Sequence, residues 1–299
     1  MAVWSHRGGA AGRMPLARLQ PGDHVCVPGL DARQVAAGLA AYVAGGLRDQ
    51  QRVVILADDP STMAATLATQ VAGCCAAMER GQVLVRDRRQ GYLTSGVFDT
   101  DRLLGQLVRT VDTAVAAGYA GLRVSGDPSI VLRAGVSVDA LVDYEVRVNA
   151  LFTDLPLVAL CHYDPVGVGP DAWRRLSGAH PSTIVPVAGW WHRGRRAVGG
   201  GRLWCRRTAT GLRLTGEVDR ANHASLSGLL VGLADRPGAC DLDATGLAVA
   251  DAISAGVLLR AVIASDGRPT TLRATPSLIR LVTTLGAADI PGLHLVADR

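Results

Sequence analysis

The first part of the chain alternates short apolar runs with longer stretches that carry apolar residues at helical spacing. The apolar runs predict strands at residues 24–27, 52–57, 83–85, 121–124 and 157–161. Between the first two runs, Val35, Leu39, Val43 and Leu47 recur at the spacing of an amphipathic helix. Strands that are apolar on both faces and separated by helices are typical of a parallel sheet covered on both sides. The pattern therefore predicts an α/β domain over residues 15–187.

The pattern breaks at residues 188–201, where the string GWWHRGRRAVGGG has the composition of a linker. Strands and helices alternate again after it, in a different order. The predicted strands are 203–207, 212–214, 240–243 and 271–273, and the predicted helices begin near residues 222, 254 and 277. We expect residues 202–299 to form a second, smaller α/β domain.

Composition excludes several classes of protein. The 299 residues include 31 basic ones, all of them arginine, and the net charge is +5. Without lysine there is no P-loop or Schiff-base lysine. The arginines at 193–196 lie in the linker, where a solvated segment is a better interpretation than a nucleic-acid site. No long uncharged apolar run and no signal peptide are seen, so we expect a cytoplasmic protein without a membrane partner.

The sequence offers ligand types for a metal but no metal motif. Six cysteines never fall into a CxxC spacing, and His24, Cys26, Cys161, His162 and His180 show no established zinc spacing. Cys161 and His162 are neighbours on a strand and point to opposite faces. No G-x-S-x-G elbow and no glycine-rich phosphate loop occur. We therefore expect no metal, no nucleotide and no catalytic residue.

Polar residues follow several predicted strands, where ligands bind in open parallel sheets. Glu145 and Asn149 lie four residues apart on a helix and can face the same crevice. The candidate ligand-binding residues are His24, Cys26, Asp127, Glu145, Asn149, His162, Asp164 and His180. We expect Asp127, Glu145, His162 and His180 to line one crevice that holds a small, mostly apolar ligand. The alternative is that these residues cap helices and tie loops to the sheet.

Five strings in the first domain have the order and spacing of one family. They are GDHVC at 22–26, GLRVSGDPSIVL at 121–132, YEVRVNALF at 144–152, LVALCHYD at 157–164 and HP at 180–181. This region resembles the MEDS domain, a sensory domain named after methanogen, methylotroph and DcmR regulators. The resemblance implies a RecA-like α/β sandwich whose nucleotide loop has degenerated. It also implies that the domain senses small molecules. Asp127 stands where the family pattern would have glutamate.

The second domain carries the strings LTGEVD at 214–219, LDATGL at 242–247 and VADAISAGVLL at 249–259. It looks like a STAS domain, as found in anti-sigma factor antagonists. Ile253 occupies the position of the phosphorylated serine, so control by phosphorylation there is not expected. The candidate partner contacts are Asp219, Asp251 and Ser254. By residue type alone, Asp251 and Ser254 are also good helix N-caps, and Asp219 is a turn residue.

These observations predict a non-enzymatic regulator with two domains. The first would sense a small molecule or a redox state, and the second would bind an anti-sigma factor or another regulatory protein. A homodimer is compatible with the sequence. The alternative is an ATPase or another enzyme on the RecA-like domain, which the missing lysine and phosphate loop disfavour. The identity of any cofactor is not predicted.

Overall fold

The computed structural model describes residues 4–5, 16–29, 32–93, 96–186, 202–234 and 238–298, so the expected linker lies outside the described residues. The strands are β1 (Trp4–Ser5), β2 (His24–Pro28), β3 (Arg52–Ala57), β4 (Val83–Asp87), β5 (Leu122–Gly126), β6 (Leu157–Tyr163), β7 (Ser182–Thr183), β8 (Val185–Pro186), β9 (Arg202–Arg207), β10 (Gly211–Val218), β11 (Cys240–Ala250), β12 (Thr270–Ala274) and β13 (Leu293–Ala297). The helices are α1 (Ala32–Arg48), α2 (Pro60–Gln70), α3 (Cys74–Glu79), α4 (Arg88–Tyr92), α5 (Thr100–Ala116), α6 (Ile130–Arg133), α7 (Val138–Arg147), α8 (Leu151–Asp154), α9 (Pro170–Ala179), α10 (His223–Ala234), α11 (Ala252–Ile263) and α12 (Pro276–Thr284).

Eleven of these strands form one sheet in the order β13-β12-β11-β10-β9-β7-β2-β6-β5-β3-β4. All neighbours pair in parallel except β9, which runs antiparallel to both β7 and β10. The strands β1 and β8 pair separately. The expected α/β class with a large, mostly parallel sheet is therefore confirmed.

Local sequence signals explain where several helices begin. Asp59 accepts a hydrogen bond from the amide of Thr62 and caps α2, whose first residue is Pro60. Thr275 caps α12 in the same way, again with proline at the first helical position. A side chain that accepts from a free amide at the N-terminus stabilises a helix by about 1 kcal/mol. Asp31 precedes α1 and is of a residue type that caps helices, but it lies outside the described residues.

Helices cover both faces of the first part of the sheet, as the apolar strands predict. One face of the strands packs on α1, α2 and α3 through a core that includes Val25, Ile55 and Leu160. The other face packs on α5, α6 and α7 through a core that includes Cys26, Leu157 and Cys161. Successive residues of β2 and β6 therefore enter different cores, because side chains alternate along a strand.

The C-terminal strands β9–β13 carry α10, α11 and α12 and enclose a separate apolar core. The helix α10 also packs against α7, α8 and α9 of the first part of the chain. Arg206 on β9 forms an ion pair with the buried carboxylate of Asp23, at 2.5 Å. The C-terminal part thus meets the first part of the chain along α10 and at the junction of β7 with β9.

No helix in the part of the chain that the structure describes is long and apolar enough to cross a membrane. The predicted strands are all present, and the strand at Arg52–Ala57 has the predicted bounds. The predictions did not include α9 or β13, which are present in the structure.

Candidate functional site

A cavity of about 250 Å³ lies between the sheet, α5 and α7. The cavity lies under one face of the sheet, beneath β3, β5 and β6. The crevice at the carboxyl ends of the strands, where open parallel sheets usually bind ligands, is a separate cavity that is described below. The lining is mostly apolar and includes Val54, Leu56, Leu107, Val124 and Tyr144.

Three polar side chains, those of His24, Glu145 and Cys161, form one wall of this cavity. With His180 they make a cluster, which we call the His–Glu–Cys cluster, in which one nitrogen, oxygen or sulfur atom of each residue lies within 4.8 Å of the others. His24 begins β2, Cys161 lies on β6, Glu145 lies on α7, and His180 ends α9. All four residues are buried.

Asn149 fixes the orientation of His24. Its amide nitrogen donates to the carbonyls of Glu145 and Ala179, at 2.8 and 2.9 Å. Its Oδ1 lies 2.8 Å from Nδ1 of His24. Because an amide oxygen only accepts hydrogen bonds, Nδ1 of His24 carries the proton. The imidazole also stacks on Phe152, with ring centroids 4.6 Å apart. When His24 is neutral, its Nε2 atom is therefore unprotonated and carries a lone pair.

His180 is held in the same tautomer by the backbone. Its Nδ1 lies 2.7 Å from the carbonyl of Leu176, which can only accept. Burial lowers the pKa of His180 to about 4, a shift to which the neighbouring His24 contributes, while Glu145 opposes it. His180 is therefore neutral near pH 7, with the lone pair of Nε2 directed into the cluster.

Glu145 lies between the two imidazoles. Its Oε1 accepts a hydrogen bond from the hydroxyl of Tyr163. Its Oε2 lies 3.4 Å from Nε2 of both His24 and His180. Burial opposes ionisation, but contacts that include the hydrogen bond from Tyr163 hold the pKa of the carboxyl below its usual value. Among the described residues, neither Oε2 of Glu145 nor Nε2 of His180 has a hydrogen-bond partner.

The two cysteines of this region are buried thiols. Cys161 Sγ lies 3.5 Å from Nε2 of His24. Cys26 is paired with Cys161 in the β2–β6 register but is not part of the cluster. Burial, with the charge of Glu145 contributing, raises the pKa of both thiols well above the usual value.

Asp127, His162 and Asp164 line a second cavity of about 430 Å³ at the carboxyl ends of β3, β5 and β6. The structure thus divides the predicted site residues between two cavities instead of bringing Asp127, Glu145, His162 and His180 into one crevice. The reason is the alternation of β6, which sends Cys161 to one face and His162 to the other. The predicted residues that the structure brings together are His24, Glu145, Asn149 and His180, and Cys26 lies on the neighbouring strand outside the cluster.

The side chains in the second cavity are already bonded to the protein. Asp127 accepts from the amide of Ser129 at 2.9 Å and from Arg88 at 2.5 Å. Asp164 accepts from the amide of Val166. His162 lies 2.7 Å from the hydroxyl of Ser125, and burial lowers its pKa to about 4. These contacts are the helix-capping and loop-tying roles that the sequence left open.

The candidate partner residues lie at two turns of the C-terminal part. Asp251 caps α11, since its Oδ1 accepts from the amide of Ser254 at 2.8 Å and from its hydroxyl at 2.7 Å. Burial opposes ionisation, but these hydrogen bonds hold the pKa of Asp251 below its usual value. Ser254 is fully buried, so it does not lie on the surface. Asp219 is exposed and accepts from the amide of Ala221, as a turn residue does.

Sequence reasoning placed Phe152 in an apolar stripe beside Glu145 and Asn149 but did not find Tyr163 as part of the site. It named Cys161 only as a possible ligand type, because no local spacing connects it with the histidines. The alternation of side chains along β6 was the available signal, because it places Cys161 and Tyr163 on the same face of the strand. The contribution of α9, which delivers His180, could not be seen because that helix was not predicted.

The parallel sheet and the helices on both of its faces define the first part of the chain as an α/β domain. The family model for MEDS, the methanogen/methylotroph, DcmR sensory domain, matches residues 23–181. This is more than half of the chain, which therefore belongs to the MEDS family. Membership indicates a sensory or regulatory role. Among curated proteins, no sequence matches the chain.

Proposed function

We propose that this protein is a non-enzymatic cytoplasmic regulator whose MEDS domain senses a small molecule through the apolar cavity and its polar wall. The observation that carries the proposal is the meeting of a mostly apolar cavity with the His–Glu–Cys cluster. Pockets that bind small molecules combine an apolar lining with a few converging polar groups. The volume of about 250 Å³ suits a small ligand with one or two hydrogen-bonding groups.

A RecA-like sandwich that no longer uses a nucleotide is the fold that we propose for this domain. The central position of β2, with parallel strands on both sides, supports it. The second cavity, at the carboxyl ends of the strands, carries Asp58, Asp59, Asp127 and Asp164 against Arg88. An acidic lining repels phosphate, which argues against the alternative of an ATPase.

For the C-terminal part we propose a STAS-like domain that binds an anti-sigma factor or another regulatory protein. The parallel β10–β13 strands with their three helices and the antiparallel β9 support this interpretation. Near the start of α11, the side chains of Val249 and Ile253 are exposed, and Asp251 lies between them in sequence. Exposed apolar residues beside a charge suit a protein contact. Ser254 is buried and bonded to Asp251, so phosphorylation there is not proposed.

The two functions would be linked through α10. Asn149, which orients His24, belongs to the segment that packs on this helix. The approach is close, because a Cβ atom added at Gly228 would lie 2.1 Å from the carbonyl of Val146 and 3.1 Å from Cβ of Asn149. A ligand that moves His24 or Asn149 would therefore change the packing of α10. Such a change is a physical route from the cavity to the STAS-like part.

The sensing proposal is tested by thermal unfolding of the full chain with short-chain alcohols and amines as probes. We expect at least one probe to raise the melting temperature in proportion to RT ln(1 + [L]/Kd). Leu107→Trp, which fills the cavity from α5, should abolish that shift. Val115→Trp, on the same helix but at an exposed position, is the matched control and should keep it. Equal shifts in both variants would place the ligand elsewhere.

A further inference from the structure

The His–Glu–Cys cluster contains four side chains of the types that bind transition metals. Within the described part of the chain, Oε2 of Glu145 and Nε2 of His180 have no hydrogen-bond partner. We propose that His24, Glu145, Cys161 and His180 bind a divalent transition-metal ion, with zinc as the first candidate. The inference concerns the wall of the proposed sensing cavity and is tested with the metal alone, so failure of metal binding and failure of ligand sensing are separate results.

The hydrogen bonds around the cluster leave its centre with acceptors only. When the two histidines are neutral, Asn149 and the carbonyl of Leu176 take their Nδ1 protons, so both Nε2 atoms offer lone pairs. Both lone pairs then face Oε2 of Glu145, which is itself an acceptor. Acceptors that face one another repel, and a buried acceptor without a donor costs stability. A cation at the centre removes this repulsion.

The distances suit a bound ion better than a direct hydrogen bond. A charged imidazole that donated to Glu145 would lie about 2.7–2.9 Å away, whereas both nitrogens lie 3.4 Å from Oε2. In a tetrahedral zinc site, bonds of about 2.0–2.3 Å place nitrogen and oxygen ligands about 3.4 Å apart, and nitrogen and sulfur about 3.5 Å apart. The observed separation of Cys161 Sγ from Nε2 of His24 is 3.5 Å.

The surroundings match those of metal sites. In known metal sites, a ligating histidine donates its other ring proton to a carbonyl or carboxylate, which orients the ring. His24 and His180 both do so, through Asn149 and Leu176. Two imidazoles, a carboxylate and a thiolate suit zinc and similar ions of borderline softness. The absence of a CxxC or HxxxH spacing is explained by the topology, since the four ligands come from β2, α7, β6 and α9.

Metal binding would also define what the cavity recognises. His24, Glu145 and Cys161 border the cavity, so an ion held by them would lie in its wall. A molecule with an oxygen or nitrogen lone pair and a small apolar body could then bind the ion while its body fills the cavity. The Cys161 thiol would lose its proton to the solvent on metal binding, since the thiolate is the ligand.

The test is titration of the purified full chain, stripped with a chelator, with Zn²⁺ and with Co²⁺ as a spectroscopic probe. We expect one ion per chain and, with Co²⁺, a thiolate-to-cobalt charge-transfer absorption. Cys161→Ser should remove that absorption, and His180→Gln should weaken binding at least about tenfold. The matched controls are Cys26→Ser and His162→Gln, which change a buried cysteine and a half-buried histidine outside the cluster and should leave both signals unchanged.

Circular dichroism of each metal-free variant separates loss of the site from loss of the fold. Wild-type protein that is folded and binds neither ion would overturn the proposal. So would a Cys161→Ser variant that keeps the absorption, or controls that lose it as fully as the cluster variants. If a cluster variant does not fold, Glu145→Gln replaces it, since this change keeps the side-chain size and removes the anionic ligand.

Discussion

Arg123 and Glu145 are both buried charged residues of the MEDS domain, but they differ in how completely their charges are hydrogen-bonded. Arg123 is the second residue of β5 and is completely buried. All three of its guanidinium nitrogens donate, to Gln51 at 2.6 Å, to the carbonyls of Tyr42, Leu16 and Leu19, and to the carboxylate of Asp49. Its network fastens the segment before β2 to the sheet.

Glu145 is buried to the same degree but is only half satisfied. One oxygen accepts from Tyr163, and the other faces two imidazole lone pairs. A fully bonded buried charge is a structural element, whereas acceptors that converge without a donor mark a place for a ligand or an ion. The contrast predicts that removal of Arg123 costs stability and removal of the Glu145 charge costs function.

The largest effect is expected from Arg123→Met. The change leaves Gln51, Asp49 and three carbonyls without their donor, and breaking a buried charged network costs about 3–5 kcal/mol. Urea denaturation measures the loss. Arg213→Met is the control, since Arg213 is a strand arginine that pairs with Asp243 at the surface, and such pairs contribute about 0–1 kcal/mol. Similar losses in both variants would contradict a structural role for the Arg123 network.

The next largest loss of stability is expected at the contact between the two parts of the chain. Gly228→Ala places a methyl group 2.1 Å from the carbonyl of Val146, so the segment that carries Asn149 must move. Overpacking of this kind costs about 1–3 kcal/mol. Gly256→Ala, on α11, is the control, because a Cβ there meets only the side chain of Arg260 at 3.5 Å. The control should be neutral or stabilising, as alanine favours helix. Differential scanning calorimetry of both variants gives the comparison.

A charge that is fully bonded can still act at a surface, and Asp251 tests this. Asp251→Asn keeps the helix cap, so the free energy of unfolding should change by less than about 0.5 kcal/mol. If the charge contacts a basic partner surface, affinity should fall by about 1–3 kcal/mol. Surface plasmon resonance with candidate anti-sigma factors measures it. Unchanged affinity for a partner that binds the wild type would leave Asp251 as a cap alone.

Most of the sheet could be predicted from the sequence because buried parallel strands are short apolar runs between helical repeats. The strand that carries Arg123 was predicted as apolar, and its periodicity did not reveal that the arginine is buried. Burial of a charge depends on partners such as Gln51 and Leu19, which are distant in the chain. Pattern alone records the spacing of residues and not these long-range contacts.

Most residues of the candidate site could be named from the sequence, but which of them lie together could not. His24, Glu145, Asn149 and His180 were predicted to share one pocket, and the structure places them side by side. That they bind a ligand stays a prediction. Asp127 and His162 were placed with them because both end parallel strands, but the side chains enter the second cavity. The direction of a side chain at a strand end depends on the phase of its alternation, which a short apolar run does not reveal.

The smallest change in stability is expected from Glu145→Gln. This variant also tests most directly whether the charges of Arg123 and Glu145 have different roles. Glutamine keeps an oxygen for the hydroxyl of Tyr163 and supplies an amide that can donate to Nε2 of His24 or His180. The repulsion between acceptors becomes a hydrogen bond, worth about 1 kcal/mol. Metal-free Glu145→Gln should therefore be more stable than the metal-free wild type by about that amount, the opposite sign to Arg123→Met. With Zn²⁺ present the order should reverse, because only the wild type gains stability from the ion. Urea denaturation with and without Zn²⁺ measures both differences. A metal-free variant less stable than the wild type would show that the carboxylate serves the fold, as Arg123 does.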